Sequence, residues 1–133
     1  MTKPEFDKDK LIKHWIESSD EDFETMMVLF ESKKYSWALF VGHLMVEKLL
    51  KALFVKVNGD HPPLIHNLYR LAELSKIDLT DEQSDMLDKI TTFNINARYE
   101  DFKKEFSSLC TFDFTKNWIE KINIMRSWIK MML

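Results

Sequence analysis

The longest apolar segment of the chain constrains its fold more than any other feature. Residues Tyr35–Asn58 read YSWALFVGHLMVEKLLKALFVKVN, with no proline and a single glycine. At about 100° per residue, the apolar side chains cover one half of a helical cylinder, which only Lys56 interrupts. A surface helix usually carries an apolar stripe of roughly 100°. The wider arc therefore predicts a central helix with neighbours packed on several sides.

The polar residues of this predicted helix form a single row. His43, Glu47 and Lys51 are spaced four apart, which places them on one face. A His and a Glu at this spacing can share a metal ion, but three or more ligands are the rule, and the other histidines and the cysteine show no ligand spacing. We favour an i,i+4 ion pair between Glu47 and Lys51 beside a half-buried His43. A third interpretation makes the row part of an anion site.

Composition favours one all-helical domain spanning residues 1–133, with a flexible segment over residues 1–8. The chain is 45% hydrophobic and 31% charged, which is typical of globular proteins. It has only two glycines and three prolines, too few for the many turns of a β-sandwich or barrel. The net charge of −3 provides no general attraction to nucleic acid or anionic membrane.

The single cysteine, Cys110, excludes an internal disulfide and fits a reducing compartment. The first ten residues contain no apolar signal core, and no run reaches about 18 uninterrupted apolar residues. These features predict a cytoplasmic protein that does not enter a membrane.

Apolar periodicity and capping residues predict the remaining helices. Residues 10–32 form one long helix, with a restart at Ser19 as the rival interpretation. The other predicted segments are a short helix over residues 67–75, a helix capped by Thr80 that ends near residue 96, an optional short helix over residues 102–109, an extended stretch over residues 110–114, and a last helix capped by Thr115. Short connections imply antiparallel neighbours, so we expect an up-and-down bundle of four to five helices.

Five short motifs, taken in order, resemble the HEPN domain family of small helical bundles. They are Lys34-Tyr35, the run EKLLKA over residues 47–52, IHNL over residues 65–68, ARYE over residues 97–100, and Trp128-Ile129. The resemblance covers nearly the whole chain. It implies either a ribonuclease with an Arg, four to six residues, then His motif, or a protein without that motif that acts beside a minimal nucleotidyltransferase and binds a nucleotide.

The arginines decide between these two branches. Arg70, Arg98 and Arg126 are the only ones in the chain, and none is followed by a His at the required spacing. If Tyr99 matches the family's Tyr after the catalytic His, Ala97 stands where that His would be. The resemblance therefore implies a non-catalytic protein with no cofactor. Its partner would be a separate nucleotidyltransferase, in a pairing like that of toxin–antitoxin systems.

The resemblance also implies a ligand-binding set of Arg98, Tyr99, Lys51, Glu47 and His66, with no catalytic or metal-binding residue. Arginine suits bidentate recognition of phosphate, and tyrosine can stack on a base. In the alternative interpretation, Arg98 pairs with an acidic neighbour (Glu100, Asp101 or Glu47) and Tyr99 seals the bundle. His66 either fixes its loop through the backbone or serves as a base or phosphate donor.

Aromatic residues exceed what a monomer of this size obviously needs. The exterior positions Trp37, Phe40 and Phe54 suggest a surface covered by a second copy of the chain, and HEPN domains commonly pair. We therefore expect a homodimeric, nucleotide-binding domain. The alternatives are a divergent ribonuclease that uses His66 or His43, and a purely structural interaction module. The residues leave RNA binding open.

Overall fold

The structure, a computed structural model, describes residues 6–133 and confirms the all-helical bundle. The described residues form six helices instead of four or five: α1 Lys8–Glu31, α2 Tyr35–Asn58, α3 Leu68–Leu74, α4 Asp81–Asn96, α5 Glu100–Leu109 and α6 Phe112–Met132. Of the segment predicted to be flexible, residues 1–5 lie outside the described range, and Lys8 already belongs to α1. No helix within residues 6–133 is long and apolar enough to cross a membrane.

Helix α1 is continuous, as predicted, and does not restart at Ser19. Its N-terminus is capped by Asp7, whose Oδ1 accepts a hydrogen bond from the Lys10 amide at 3.0 Å. Ser19 is fully buried, and its hydroxyl donates to the carbonyl of Met45 in α2 at 3.1 Å. The residue that resembled a cap is therefore a contact between two helices.

Helix α2 has the predicted bounds and forms the centre of the bundle. It ends at Gly59, which adopts the left-handed conformation with φ of 67° and donates its amide to the Val55 carbonyl at 2.8 Å. Glycine reaches this conformation without the steric cost of a Cβ atom. More than half of the side chains of α2 are buried, in agreement with the wide apolar arc.

The extended prediction for residues 110–114 was wrong for residues 112–114, because α6 begins at Phe112, three residues before the expected Thr115 cap. The actual cap is Thr111, whose hydroxyl accepts a hydrogen bond from the Phe114 amide at 3.2 Å. Thr115 lies fully buried within the helix. An extended segment was expected here, but Phe112 belongs to α6 and stacks on Phe30 of α1 with ring centroids 5.5 Å apart. This tertiary contact supports the first turn of α6.

The long helices alternate in direction. Ser19 of α1 contacts Met45 of α2. Earlier in α1, the Trp15 ring lies 5.3 Å from the Lys51 Nζ, later in α2, so the two helices are antiparallel. Helix α6 runs antiparallel to α1 as well. Asp20 of α1 accepts hydrogen bonds from two basic residues of α6, and Phe30, later in α1, stacks at the N-terminus of α6.

At Gly42, side chains of α1 and α6 pack directly against the backbone of α2. A Cβ atom there would lie 2.8 Å from the Ile122 Cδ1 of α6 and 3.1 Å from the Met26 Sδ of α1. The missing side chain therefore lets three helices meet at one level of the core.

We expect Gly42→Leu to destabilise the bundle by about 1–3 kcal/mol or more, because the added side chain overpacks the junction of α1, α2 and α6. Urea unfolding measures the change in the free energy of unfolding. Gly42→Ala is the control. Its methyl displaces only the flexible ends of the Ile122 and Met26 side chains, and alanine gains up to about 1 kcal/mol in helix propensity. Equal stability of the leucine variant and the wild type would show that the junction is loosely packed.

Candidate functional site

The polar row of α2 is buried. His43 has no exposed surface, and Glu47 and Lys51 are only 5% and 6% exposed. Charged side chains are rarely buried to this degree unless they are paired, because leaving water is costly for an isolated charge. The row is therefore not a solvated face. His43, which was expected to be half-buried, is fully buried. Since α2 lies at the centre, even its polar side is covered by other parts of the chain.

Glu47 is the hub of this buried row. Its Oε2 accepts a hydrogen bond from the Lys51 Nζ at 3.2 Å, which confirms the predicted i,i+4 pair. Its Oε1 lies 2.8 Å from the His66 Nδ1. A carboxylate only accepts hydrogen bonds, so Nδ1 of the imidazole is the donor. The Lys51 ammonium also lies 5.3 Å from the centre of the Trp15 ring. Each charge in the row thus has a compensating neighbour.

His43 fixes the loop that leads into α3. Its Nε2 lies 3.0 Å from the His66 carbonyl, and since a carbonyl only accepts, Nε2 carries the proton and donates it. Burial lowers the pKa of His43 below its usual value, which favours the neutral ring. Its other nitrogen, Nδ1, is buried without a hydrogen-bond partner among residues 6–133. His43 therefore holds the loop as a neutral donor.

His66 combines the two roles considered for it. Its carbonyl ties the loop to His43, and its ring is tied to Glu47. The side chain is nevertheless 60% exposed. Within residues 6–133, the Nε2 of this ring has no hydrogen-bond partner. The loop thus presents one imidazole edge to solvent while the other edge is held on a buried carboxylate.

Arg98 and Tyr99 form a second group, at the turn between α4 and α5. The guanidinium carbon of Arg98 lies 5.2 Å from the centre of the Phe40 ring and 5.7 Å from that of Tyr99. Its Nε donates to the Asn94 carbonyl at 2.9 Å. The guanidinium is therefore held in place by aromatic faces and one backbone carbonyl.

The alternative interpretation of this turn is wrong. In the described part of the chain, no carboxylate lies within 4.0 Å of the Arg98 guanidinium, so the expected pairing with Glu100, Asp101 or Glu47 is absent. Tyr99 is 56% exposed and does not seal the bundle. Glu100 and Asp101 occupy the first turn of α5, where the helix dipole favours negative side chains.

The five predicted ligand-binding residues thus lie in two adjoining groups. Glu47, Lys51 and His66 are in direct contact, whereas Arg98 lies against Phe40 at the other end of the same face of α2. At 1.5 Å per residue, the seven positions from residue 40 to residue 47 span roughly 10 Å. The pKa of the intervening His43 is lowered mainly by burial, and to smaller extents by the positive charges of His66 and then Arg98. Both groups therefore lie against one face of α2, which carries Phe40, His43, Glu47 and Lys51. We call it the α2 face.

Two residues of this face were not singled out from the sequence. Asn94 precedes Arg98 by four positions, and that helical spacing was a usable signal for their contact. Trp15, which lies beside Lys51, is distant in sequence and had no local signal.

The His, Cys, Asp and Glu side chains of the described residues are the candidates for metal binding and for thiol chemistry. Across residues 6–133, no group of three His, Cys, Asp or Glu side chains is placed to hold a metal ion. Cys110 is buried, and burial raises the pKa of its thiol to about 11. At neutral pH the thiol is therefore protonated and a poor nucleophile.

The family model described as HEPN domain matches residues 12–132, which is nearly the whole chain. The chain belongs to the HEPN domain family. The matched span includes both polar groups of the α2 face. No curated protein and no solved structure matches the chain. The HEPN assignment therefore rests on the family model, and it agrees with the all-helical bundle.

We expect Glu47→Gln to reduce the stability of this HEPN domain by about 3 kcal/mol, because removing one member of a buried pair leaves the Lys51 charge uncompensated. The double variant Glu47→Gln/Lys51→Met should recover most of that loss. Urea unfolding measures both effects, with Lys13→Met, which breaks an exposed pair with Glu17, as the control. A single variant as stable as the wild type would show that the buried charges do not depend on one another.

Proposed function

We propose that this HEPN domain binds a nucleotide or another phosphate-bearing ligand on the α2 face without catalysing a reaction on it, together with a separate nucleotidyltransferase. The observation that carries the proposal is the Arg98 guanidinium. It is held rigidly by Phe40, Tyr99 and Asn94 but has no carboxylate partner among residues 6–133.

The other two arginines of the chain differ from Arg98 in this respect. Arg70 is bonded to Glu73 on α3, and Arg126 donates to Asp20 on α1. Because the Nε of Arg98 is already bonded to a backbone carbonyl, its two terminal nitrogens remain for a ligand. A planar, immobilised guanidinium is well suited to bind a phosphate through two hydrogen bonds.

The surroundings of Arg98 suit a nucleotide. Tyr99 and Trp37 are both partly exposed, and aromatic side chains can stack on a nucleobase. The Lys103 ammonium lies 5.4 Å from the centre of the Trp37 ring and adds a second positive charge. The nearby Glu47 carboxylate is compensated by its two hydrogen-bonded partners, so it repels an incoming anion less than a free carboxylate would.

The proposed partner and assembly rest on the family resemblance and on composition. The chain lacks the Arg, four to six residues, then His spacing of HEPN ribonucleases, which supports a role beside a nucleotidyltransferase. Pairing of two copies through Trp37, Phe40 and Phe54 stays a prediction. All three side chains keep some exposure, which is compatible with a covered surface.

We expect calorimetric titration to detect binding of ATP, GTP or their mono- and diphosphates, to the domain alone or to its complex with the nucleotidyltransferase. Arg98→Ala should weaken binding at least tenfold, because a charged hydrogen bond contributes about 1.5–3 kcal/mol. Arg70→Ala is the matched control and should bind as the wild type does. Absence of heat with every nucleotide, with and without the partner, would leave the protein as a structural interaction module.

A second candidate function is favoured by the contact between Glu47 and His66. A histidine held by a carboxylate at one nitrogen and exposed at the other has the arrangement of a general base. The corresponding activity is a divergent ribonuclease in which His66 replaces the missing family histidine.

If this second function operates, the wild-type protein cleaves total RNA, whereas His66→Asn and Arg98→Ala lose at least 100-fold in rate, the usual contribution of a general base. Gel electrophoresis of the incubated RNA measures cleavage. His61→Asn, which changes an exposed histidine whose ring packs against Phe6, should cleave as the wild type does. Equal or absent cleavage in all four proteins removes the ribonuclease.

A further inference from the structure

The exposed edge of His66 adds a definite contact to the proposed ligand. Resting on the proposed function, we infer that a phosphate of the ligand binds the Nε2 of His66, and that binding takes up a proton at this nitrogen. The site would then recognise phosphate through an imidazolium together with the Arg98 guanidinium, and its affinity would depend on pH.

The geometry of the ring determines which nitrogen meets the ligand. The Nδ1 of His66 donates to the buried Glu47 carboxylate at 2.8 Å, so Nδ1 carries a hydrogen in either protonation state of the ring. The ring is 60% exposed, and Nε2 has no partner within residues 6–133. Nε2 is therefore the ligand-facing atom.

Proton uptake follows from the chemistry of the two partners. In the neutral ring, Nε2 has a lone pair and accepts hydrogen bonds. Phosphate oxygens are acceptors too, so the two atoms repel each other unless Nε2 gains a proton. The positive charge that the ring acquires is attracted by the Glu47 carboxylate, 2.8 Å from Nδ1 on the far side of the ring, and by the phosphate at Nε2.

The other charged groups around the ring cannot supply this proton exchange near neutral pH. His43 is already a donor to the His66 carbonyl, and burial lowers its pKa, so it stays neutral. Lys51 is hydrogen-bonded to Glu47, and the Arg98 guanidinium lies against Phe40.

The charged side chains on the elements that pack around the loop are bonded to partners of their own. On α3, the two charged side chains, Arg70 and Glu73, are bonded to each other. Helix α1 contributes the uncharged Trp15 next to Lys51, and helix α4 contributes Thr91, whose hydroxyl accepts from the Leu68 amide. Two further histidines make other contacts: His61, on the same loop, packs on Phe6, and His14 of α1 packs on Trp15. The proton exchange is therefore assigned to His66, whose ring contacts Glu47.

The test is calorimetric titration with ADP at pH 7.0 in several buffers that differ in their enthalpy of ionisation. The slope of the measured heat against that enthalpy gives the number of protons taken up. For the wild type we expect a net uptake above that of His66→Asn by up to one proton. The difference between the two proteins cancels protons exchanged by ADP itself.

The affinity should respond in the same direction. The Kd of the wild type for ADP should rise between pH 6 and pH 8, by at most about tenfold per pH unit for one linked proton. His66→Asn should bind about tenfold more weakly than the wild type at pH 6 and should show a flatter pH profile. His61→Asn, which changes an exposed histidine earlier in the same loop, should behave as the wild type does.

A spectroscopic measurement on the wild type tests the inference even if the His66→Asn variant does not fold. The NMR signal of the His66 Cε1–H group should move toward the imidazolium position when ADP is added at pH 7.0. Binding of ADP with no such movement and no difference in proton uptake overturns the inference but leaves the proposed function intact. Failure of ADP to bind at any pH between 6 and 8 overturns the inference and counts against the proposed function.

Discussion

The buried carboxylate of Glu47 is the interaction on which the rest of the site depends. It is enclosed near the middle of the central helix, and it accepts hydrogen bonds from Lys51 on its own helix and His66 on a distant loop. Burying an ionised carboxylate costs several kcal/mol, and the cost is offset only when its lone pairs are satisfied by well-placed donors. Lys51 and His66 are these donors, and the hydrogen bond from His66 joins the loop to the helix.

This arrangement explains how an exposed side chain can be held in place in a loop. Residues 59–67 contain two prolines and no helix, so the loop has no regular backbone pattern of its own. Two contacts to α2 hold the loop instead of a regular backbone pattern. The His66 carbonyl accepts a hydrogen bond from His43, and the His66 ring donates one to Glu47. The exposed edge of the ring is therefore positioned by the most buried helix of the bundle.

Arg98, at the turn between α4 and α5, is held in a different way. Aromatic faces and a backbone carbonyl hold the guanidinium there, and no negative charge neutralises it within residues 6–133. Such a contact positions a charge while leaving it available to bind an anion. The α2 face thus carries a compensated cluster at Glu47 and, seven positions earlier at Phe40, the contact with the unpaired Arg98 cation. This contrast is the physical basis for proposing a phosphate-bearing ligand.

The sequence by itself determined the helical bundle, the bounds of α2 and the ion pair between Glu47 and Lys51, because each depends on spacing within one helix. It also determined that the ribonuclease motif is absent, since that is a matter of residue order. Contacts between distant segments decided the rest. Packing of α6 against Phe30 of α1 moved its start to Phe112, and closure of the loop buried His43 and brought His66 to Glu47. Helical periodicity gives the direction of a side chain but not what covers it, so only the tertiary structure could separate a solvated row from a buried one.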